Sequence, residues 1–215
     1  MDAIVPFDAR DPKTRLAPLF DAEERREFAD AMLEAVLEAL CAAGFEPTVL
    51  ATAPIDRTDT TVRVDDRALS TAVNALLDDW DRPCAIVMAD LGILTPAALD
   101  RLRKPDAEVV IAPGRGGGTN ALVLRASEFR VDYHGVSCRD HREAAAAIGA
   151  TTATVDSMRL ATDVDEPADL VEVLLHGTGR PRSWLREHGV RLRADGGRVG
   201  VSRSSDDRDS PNGRS

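Results

Sequence analysis

The chain has 215 residues and a mass of 23.1 kDa, enough for one domain of moderate size with a short appendage. Acidic side chains number 37 against 27 basic ones, a formal charge of −10; that balance repels phosphate backbones and excludes nucleic-acid binding as the main activity. Hydrophobic residues make up 43%, ample for a core, yet no run approaches the roughly 18 apolar residues that span a bilayer.

Only Lys13 and Lys104 among the basic residues are lysine, and aspartate outnumbers glutamate by 25 to 12. Two readings of this bias stand: a surface kept hydrated in concentrated salt, or a GC-rich genome favouring Arg and Asp codons. The opening MDAIVPFDAR has neither a basic n-region nor an apolar h-region, which points to a cytoplasmic protein. Three widely separated cysteines, Cys41, Cys84 and Cys138, read as buried free thiols rather than a disulfide or metal site.

In chain order, Ala3–Phe7 is a short apolar strand, followed by a loop from Asp8 to Leu19. Asp21 and Glu24 form a capping box for a helix whose apolar spacing runs through Phe28, Met32, Val36, Leu37 and Leu40, with Gly44 at C′. Strands follow at Pro47–Ala51 and Thr61–Val64, then a helix over 68–79. Cys84–Met88 is the most continuously apolar strand. Thr95-Pro96 opens the next helix as N-cap and N1, and Glu108–Ala112 is a strand ending at Pro113 and a glycine cluster. Ala121–Leu124 reads as an edge strand. Tyr133–Ser137 is a loop into a helix from Asp140 to Ile148; Thr152–Val155 is a strand, and Glu166-Pro167 opens a helix to Leu175.

Strands alternating with helices, and apolar on both faces, predict an α/β fold: a three-layer, mostly parallel sheet. Residues 1–176 form this domain. Residues 177–201 are an appendage, a short helix near Ser183–Glu187 and a hairpin about Asp195-Gly196-Gly197. Residues 202–215 are polar and predicted to be disordered.

Ligands of open α/β sheets bind beyond the carboxyl ends of the strands, which directs attention to a small set of residues. Lys13 and Arg15 lie in the first strand-to-helix loop, where cations suit a phosphate. Asp90 ends the central strand, and Asp163 and Asp165, on one side by alternation, offer further carboxylates; together they suit Mg²⁺ completed by substrate phosphates. Each carboxylate is also a plausible turn or cap residue. Gly114, Gly116, Gly117 and Gly118 with Thr119 could form an anion-binding nest or a plain turn. Gly135-Val136-Ser137 precedes a helix start compatible with phosphate. The glycine pattern is neither a dinucleotide fingerprint nor a P-loop, and His134 and His141 read as surface or local hydrogen-bonding residues.

These pieces resemble the 2-phospho-L-lactate guanylyltransferases of deazaflavin coenzyme F-420 biosynthesis, over Ile4 to about Leu170. The resemblance rests on Lys13-Thr14-Arg15-Leu16-Ala17-Pro18, Ala89-Asp90-Leu91, Ile111-Ala112-Pro113, Gly118-Thr119-Asn120-Ala121-Leu122, Gly135-Val136-Ser137 with His141, and Asp163 through Leu170. It implies a nucleotide-diphospho-sugar transferase-like fold and Mg²⁺-dependent GMP transfer from GTP to 2-phospho-L-lactate. By this likeness Asp90 and one of Asp163 and Asp165 would hold the metal, and Lys13, Arg15, Arg115, Gly116 and Gly118 would meet the nucleotide. Thr119, Asn120, Gly135 and Ser137 would contact the three-carbon acceptor. Phe7, Gly92 and Gly114 depart from the pattern, where lysine, proline and aspartate are usual; the last two are expected to affect only loop stiffness. Phosphoenolpyruvate or another phosphorylated acceptor remains an alternative, as does a non-catalytic GTP-binding domain. A homodimer through the exposed hairpin edge is a further expectation.

Overall fold

The computed structural model describes residues 1–80 and 83–203. Seven strands form the main sheet: β1 Asp2–Phe7, β2 Glu46–Ala51, β3 Thr61–Val64, β4 Cys84–Val87, β5 Val109–Pro113, β6 Thr119–Leu124 and β7 Thr152–Thr154, in the order β3-β2-β1-β4-β6-β5-β7. Neighbours are parallel except β6, which runs antiparallel to both β4 and β5. A strand order that turns back at β1 and β4 leaves a crevice beyond their carboxyl ends.

The structure corrects the expectation of an edge strand at Ala121–Leu124. The segment 114–118 closes a hairpin, with the Gly114 amide on the Gly118 carbonyl at 2.9 Å and Gly117 at φ 85°, so β6 folds back between β5 and β4. All six of its residues are buried. The true edges are β3 and β7.

Helix α1, Ala22–Ala42, has the expected capping box: Asp21 accepts from the Glu23 and Glu24 amides, and Glu24 accepts from the Asp21 amide. Such a cap is worth about 1 kcal/mol. Leu33, Val36 and Leu40 of α1 cover one sheet face together with Leu99 and Leu102 of α3, Pro96–Arg103. The opposite face packs Val73 and Leu77 of α2, Leu69–Asp78, and Cys138 and Ala145 of α4, Ser137–Ala147. These are the three layers that the alternation predicts. Two start signals read differently in the structure. The α4 helix begins at Ser137 rather than Asp140, and Pro167 lies in a turn ahead of α6, Leu170–His176, following a short α5 at Met158–Ala161.

The C-terminal part comprises α7, Arg180–Glu187, and a two-stranded sheet of β8, Val190–Asp195, and β9, Arg198–Arg203. A third apolar cluster joins it to the main body: Trp184, Leu185 and Val190 pack with Phe20, Phe28 and Met32. Arg203 fixes the last strand, donating to both Glu24 carboxylate oxygens at 2.7 and 2.5 Å and to the Leu19 carbonyl at 2.6 Å. Residues 202 and 203, expected in the polar tail, thus belong to β9, and the rest of that expectation, 204–215, lies outside the described residues. Cys84 and Cys138 are buried, but Cys41 is exposed, because it falls on the outer face of α1.

Candidate active site

The crevice at β1 and β4 holds a pocket of about 290 Å³, lined among others by Phe7, Lys13, Arg15, Met32, Asp90 and Asp165. Lys13 is the one non-glycine residue with positive φ among the described residues, at φ 56° and ψ 41°. An L residue there carries strain of order 1 kcal/mol. The Thr14–Leu16 turn that follows brings the ammonium inward, where Nζ donates to Asp90 Oδ2 at 2.6 Å and to Asp165 Oδ1 at 2.9 Å. Arg15, largely exposed, stands at 3.6 Å from Asp165 and 3.5 Å from Glu166.

Asp90 stands three residues beyond the end of β4 at Val87. Its Oδ1 is buried and has no hydrogen-bond partner. Burial raises its pKa above the ordinary carboxylate value, Lys13 opposes that rise, and Asp165 and Asp163 add to it by repulsion. Burial alone would lower Lys13, but Asp90 and Asp165 outweigh it and hold the ammonium above the usual lysine value. The site therefore gathers more negative charge than its one lysine answers, as expected of a place that accepts a further cation.

The donor set suits Mg²⁺. Among the described residues no three His, Cys, Asp or Glu side chains gather into a cage. Two carboxylates with an unpaired oxygen are nonetheless the usual protein share for an ion whose shell is completed by phosphates and water. Asp165 is the member of its pair that shares a cation with Asp90. Asp163 is held elsewhere, accepting from Asn120 Nδ2 at 3.0 Å. The segment is kept beside Asp90 by the Val164 amide on the Asp90 carbonyl at 3.1 Å. Asp169 braces it by accepting from the Asp165 and Glu166 amides at 3.0 and 2.8 Å.

A β-bulge decides what the start of β6 presents. Register shifts between Ala112 and Pro113, which pair with Ala121 and Thr119 and leave Asn120 as the extra residue. Strict alternation would turn Asn120 to the face of Leu122. The bulge instead sends it to the other face, onto the Leu160 carbonyl and Asp163, and turns Thr119 toward α4. There Thr119 Oγ1 lies 2.9 Å from His141 Nδ1 and 3.3 Å from Ser137 Oγ. Thr119, Ser137 and His141 are all buried. None of Thr119, Gly135 and Ser137 lines the 290 Å³ pocket.

The remaining predicted residues fall as follows. Arg115 is engaged with Asp169 at 2.6 Å, so it braces the Asp165 turn. In the glycine cluster, the Gly114 and Gly117 amides serve the turn's own carbonyls, while Gly116 and Gly118 face open space. Gly114 is more than a matter of loop stiffness, since a Cβ there would stand 2.7 Å from Asn120 Oδ1. Gly135, at φ 57°, forms the exposed turn before α4. The Lys13 clamp is not foreseen in the sequence, while His141, expected at the surface or in local hydrogen bonds, is fully buried and hydrogen-bonded at both ring nitrogens. The scarcity of lysine marked Lys13 as notable but not its partners. The signal for His141 was its place one helical turn after Ser137.

The family model for CofC-like guanylyl transferases matches residues 1–205. A 2-phospho-L-lactate guanylyltransferase of Halomicrobium mukohataei is 59% identical over 203 residues, covering 94% of this chain and 100% of the relative. The enzyme of the same name from Haloferax volcanii is 59% identical over 200 residues, covering 93% and 97%. Their halophilic origin accords with the Asp-rich, Lys-poor composition. Among solved structures, a nucleotidyl transferase from Methanothermobacter superimposes with a TM-score of 0.58 at 16% identity, covering 86% of this chain and 98% of that one. A protein assigned as a nucleotide-diphospho-sugar transferase from Desulfovibrio desulfuricans G20 gives 0.66 at 14%, covering 87% and 94%; at such identities the likeness is one of fold. The chain belongs to the family of CofC-like guanylyl transferases.

Proposed function

We propose that this chain transfers GMP from GTP to 2-phospho-L-lactate, giving lactyl-2-diphospho-5′-guanosine and pyrophosphate, with Mg²⁺ as cofactor, in the biosynthesis of coenzyme F-420. The observation that carries the reading is the Asp90–Lys13–Asp165 cluster in the lining of the β1/β4 pocket. The relatives' name supplies the acceptor. A cytoplasmic location accords with the use of GTP; among the described residues no helix is long and apolar enough to cross a membrane.

In this reading an oxygen of the acceptor's phosphate attacks the α-phosphorus of GTP in line. The bond from the α-phosphorus to the bridging oxygen breaks, and pyrophosphate leaves with that oxygen. A phosphate nucleophile is ionised at neutral pH, so no protein base is required. Positioning and charge stabilisation are the protein's share. Lys13 and Arg15 supply positive charge to the triphosphate, while Thr119, Gly135 and Ser137 orient the acceptor and Asn120 supports Asp163 behind them. Asp90 and Asp165 would hold Mg²⁺, which when bound neutralises phosphate charge in the transition state.

The test is pyrophosphate release in high salt with Mg²⁺, crossing GTP, ATP and CTP with 2-phospho-L-lactate, phosphoenolpyruvate and a sugar phosphate. Release is expected with GTP and 2-phospho-L-lactate; release only with a sugar phosphate overturns the acceptor assignment. A homodimer through the β8–β9 edge is proposed alongside, and a monomer by sedimentation would refute it.

A further inference from the structure

We propose that His141 is a positioning residue that fixes the Thr119 hydroxyl as a hydrogen-bond donor to the anionic acceptor. The inference rests on the reading of Thr119 as an acceptor contact and adds the group that sets its polarity.

The Asp132 amide donates to His141 Nε2 at 3.0 Å. A backbone N–H has only a hydrogen to offer, so Nε2 presents its lone pair. The ring is fully buried, packed edge-on to Tyr133 at 5.1 Å and against Phe129 at 5.9 Å. Burial favours the neutral form despite Asp132 and Asp140 nearby. A neutral ring without a hydrogen on Nε2 carries it on Nδ1. The 2.9 Å contact is therefore a donation from His141 Nδ1 to Thr119 Oγ1.

With one lone pair of Thr119 Oγ1 filled by a ring that cannot turn, the Thr119 hydrogen is directed elsewhere. Ser137 Oγ donates to the same oxygen at 3.3 Å, a long bond whose hydrogen is free to rotate toward a ligand. The opposite tautomer would draw the Thr119 hydrogen back to the ring and present a lone pair instead. A carboxylate or phosphate oxygen only accepts hydrogen bonds, so the observed arrangement suits an anion and the opposite one repels it. Thr119 is buried and outside the lining of the 290 Å³ pocket, but it stands at the same end of the sheet. Because β6 is antiparallel, its first residue lies at the carboxyl ends of the parallel strands, where α4 also begins.

The test compares His141→Asn, whose amide can place an N–H near the Nδ1 position, with His141→Gln, whose amide reaches only toward the Nε2 position. Thr119→Val and the Thr119→Val/His141→Gln double variant complete the set. Steady-state constants and thermal melts are measured for each, and calorimetry follows binding of 2-phospho-L-lactate in the absence of GTP. His141→Gln is expected to raise the KM for 2-phospho-L-lactate about tenfold with the KM for GTP unchanged, the size of one lost hydrogen bond to a charged group. His141→Asn should recover most of that loss, and the double variant should be no worse than Thr119→Val alone. Equal losses in Asn and Gln that follow the melting temperature, a rise in the KM for GTP alone, or additive effects would overturn the proposal. Wild-type protein that binds 2-phospho-L-lactate but releases no pyrophosphate, with His141→Gln binding weakly, would refute the transfer reaction and support the role of His141. Wild-type protein that binds none would overturn both.

Discussion

Replacing Lys13 by Met removes the ammonium but keeps a side chain of similar length and the strained φ of 56°, so the change isolates charge. At 2.6 and 2.9 Å from its two carboxylates, each pair is worth about 4 kcal/mol or more of gross attraction at an effective dielectric near 20. Desolvation offsets much of this, and Asp165, about a third exposed, is partly screened. Breaking such a pair on one side leaves Asp90 buried and unanswered, at a net cost of about 3 kcal/mol. For a domain of this size that is a fall of roughly 6–12 °C in melting temperature. The vacated carboxylates should welcome a divalent cation, so Mg²⁺ should raise the melting temperature of Lys13→Met by more than that of wild type. Thermal melts by circular dichroism in high salt, with and without Mg²⁺, read both quantities. A variant that melts within about 2 °C of wild type, or that gains no more from Mg²⁺, would refute the view that Lys13 and a metal answer the same two carboxylates.

Three further outcomes follow. Asp90→Asn should lower turnover by about a thousandfold or more while melting within about 5 °C of wild type, since the charge it removes is poorly solvated; near-normal pyrophosphate release would exclude Asp90 from the metal site. His141, whose pKa is lowered from 6.5 to about 4 chiefly by burial, leaves the folded protein unprotonated where the unfolded chain takes up a proton. Its share of stability is complete above pH 6.5 and falls by about 3 kcal/mol as the pH drops to 4. Urea unfolding at pH 7.5 and 4.5 should therefore show a smaller acid loss in His141→Asn than in wild type, and equal losses would contradict it. Gly114→Ala should cost about 2 kcal/mol and reduce kcat, because its Cβ presses on the Asn120 amide that supports Asp163; an unchanged melt and kcat would show that Asn120 moves aside freely.

The elements most legible in the sequence are those whose signals are local. The Asp21 and Glu24 box sets the start of α1, the Asp195-Gly196-Gly197 turn sets the β8–β9 hairpin, and the apolar run at Cys84 marks a central strand. The placement of β6 was not legible, because Ala121–Leu124 has the same apolar pattern whether it lies at an edge or inside, and only the hairpin closure decides. The site divides in the same way. Lys13, Asp90 and the Asp163/Asp165 segment fall where the carboxyl-end rule puts them. The partition of the two aspartates was hidden, since alternation sends both one way, whereas Asn120 holds one and Lys13 the other. The partner of His141 was hidden for a related reason: Thr119 reaches it only through a bulge.

The anchoring of Arg203 bears on how far the chain can be shortened. Its guanidinium holds Glu24, which caps α1, and the carbonyl of Leu19, which ends the loop that carries Lys13. A chain stopped at residue 202 would lose contacts to Leu19 and Glu24, 184 and 179 positions away in sequence, next to the loop that carries the Lys13 ammonium. Truncation to residue 176, where the main sheet is already complete, would instead strip Trp184 and Leu185 from Phe20 and Phe28 and open that apolar cluster to solvent.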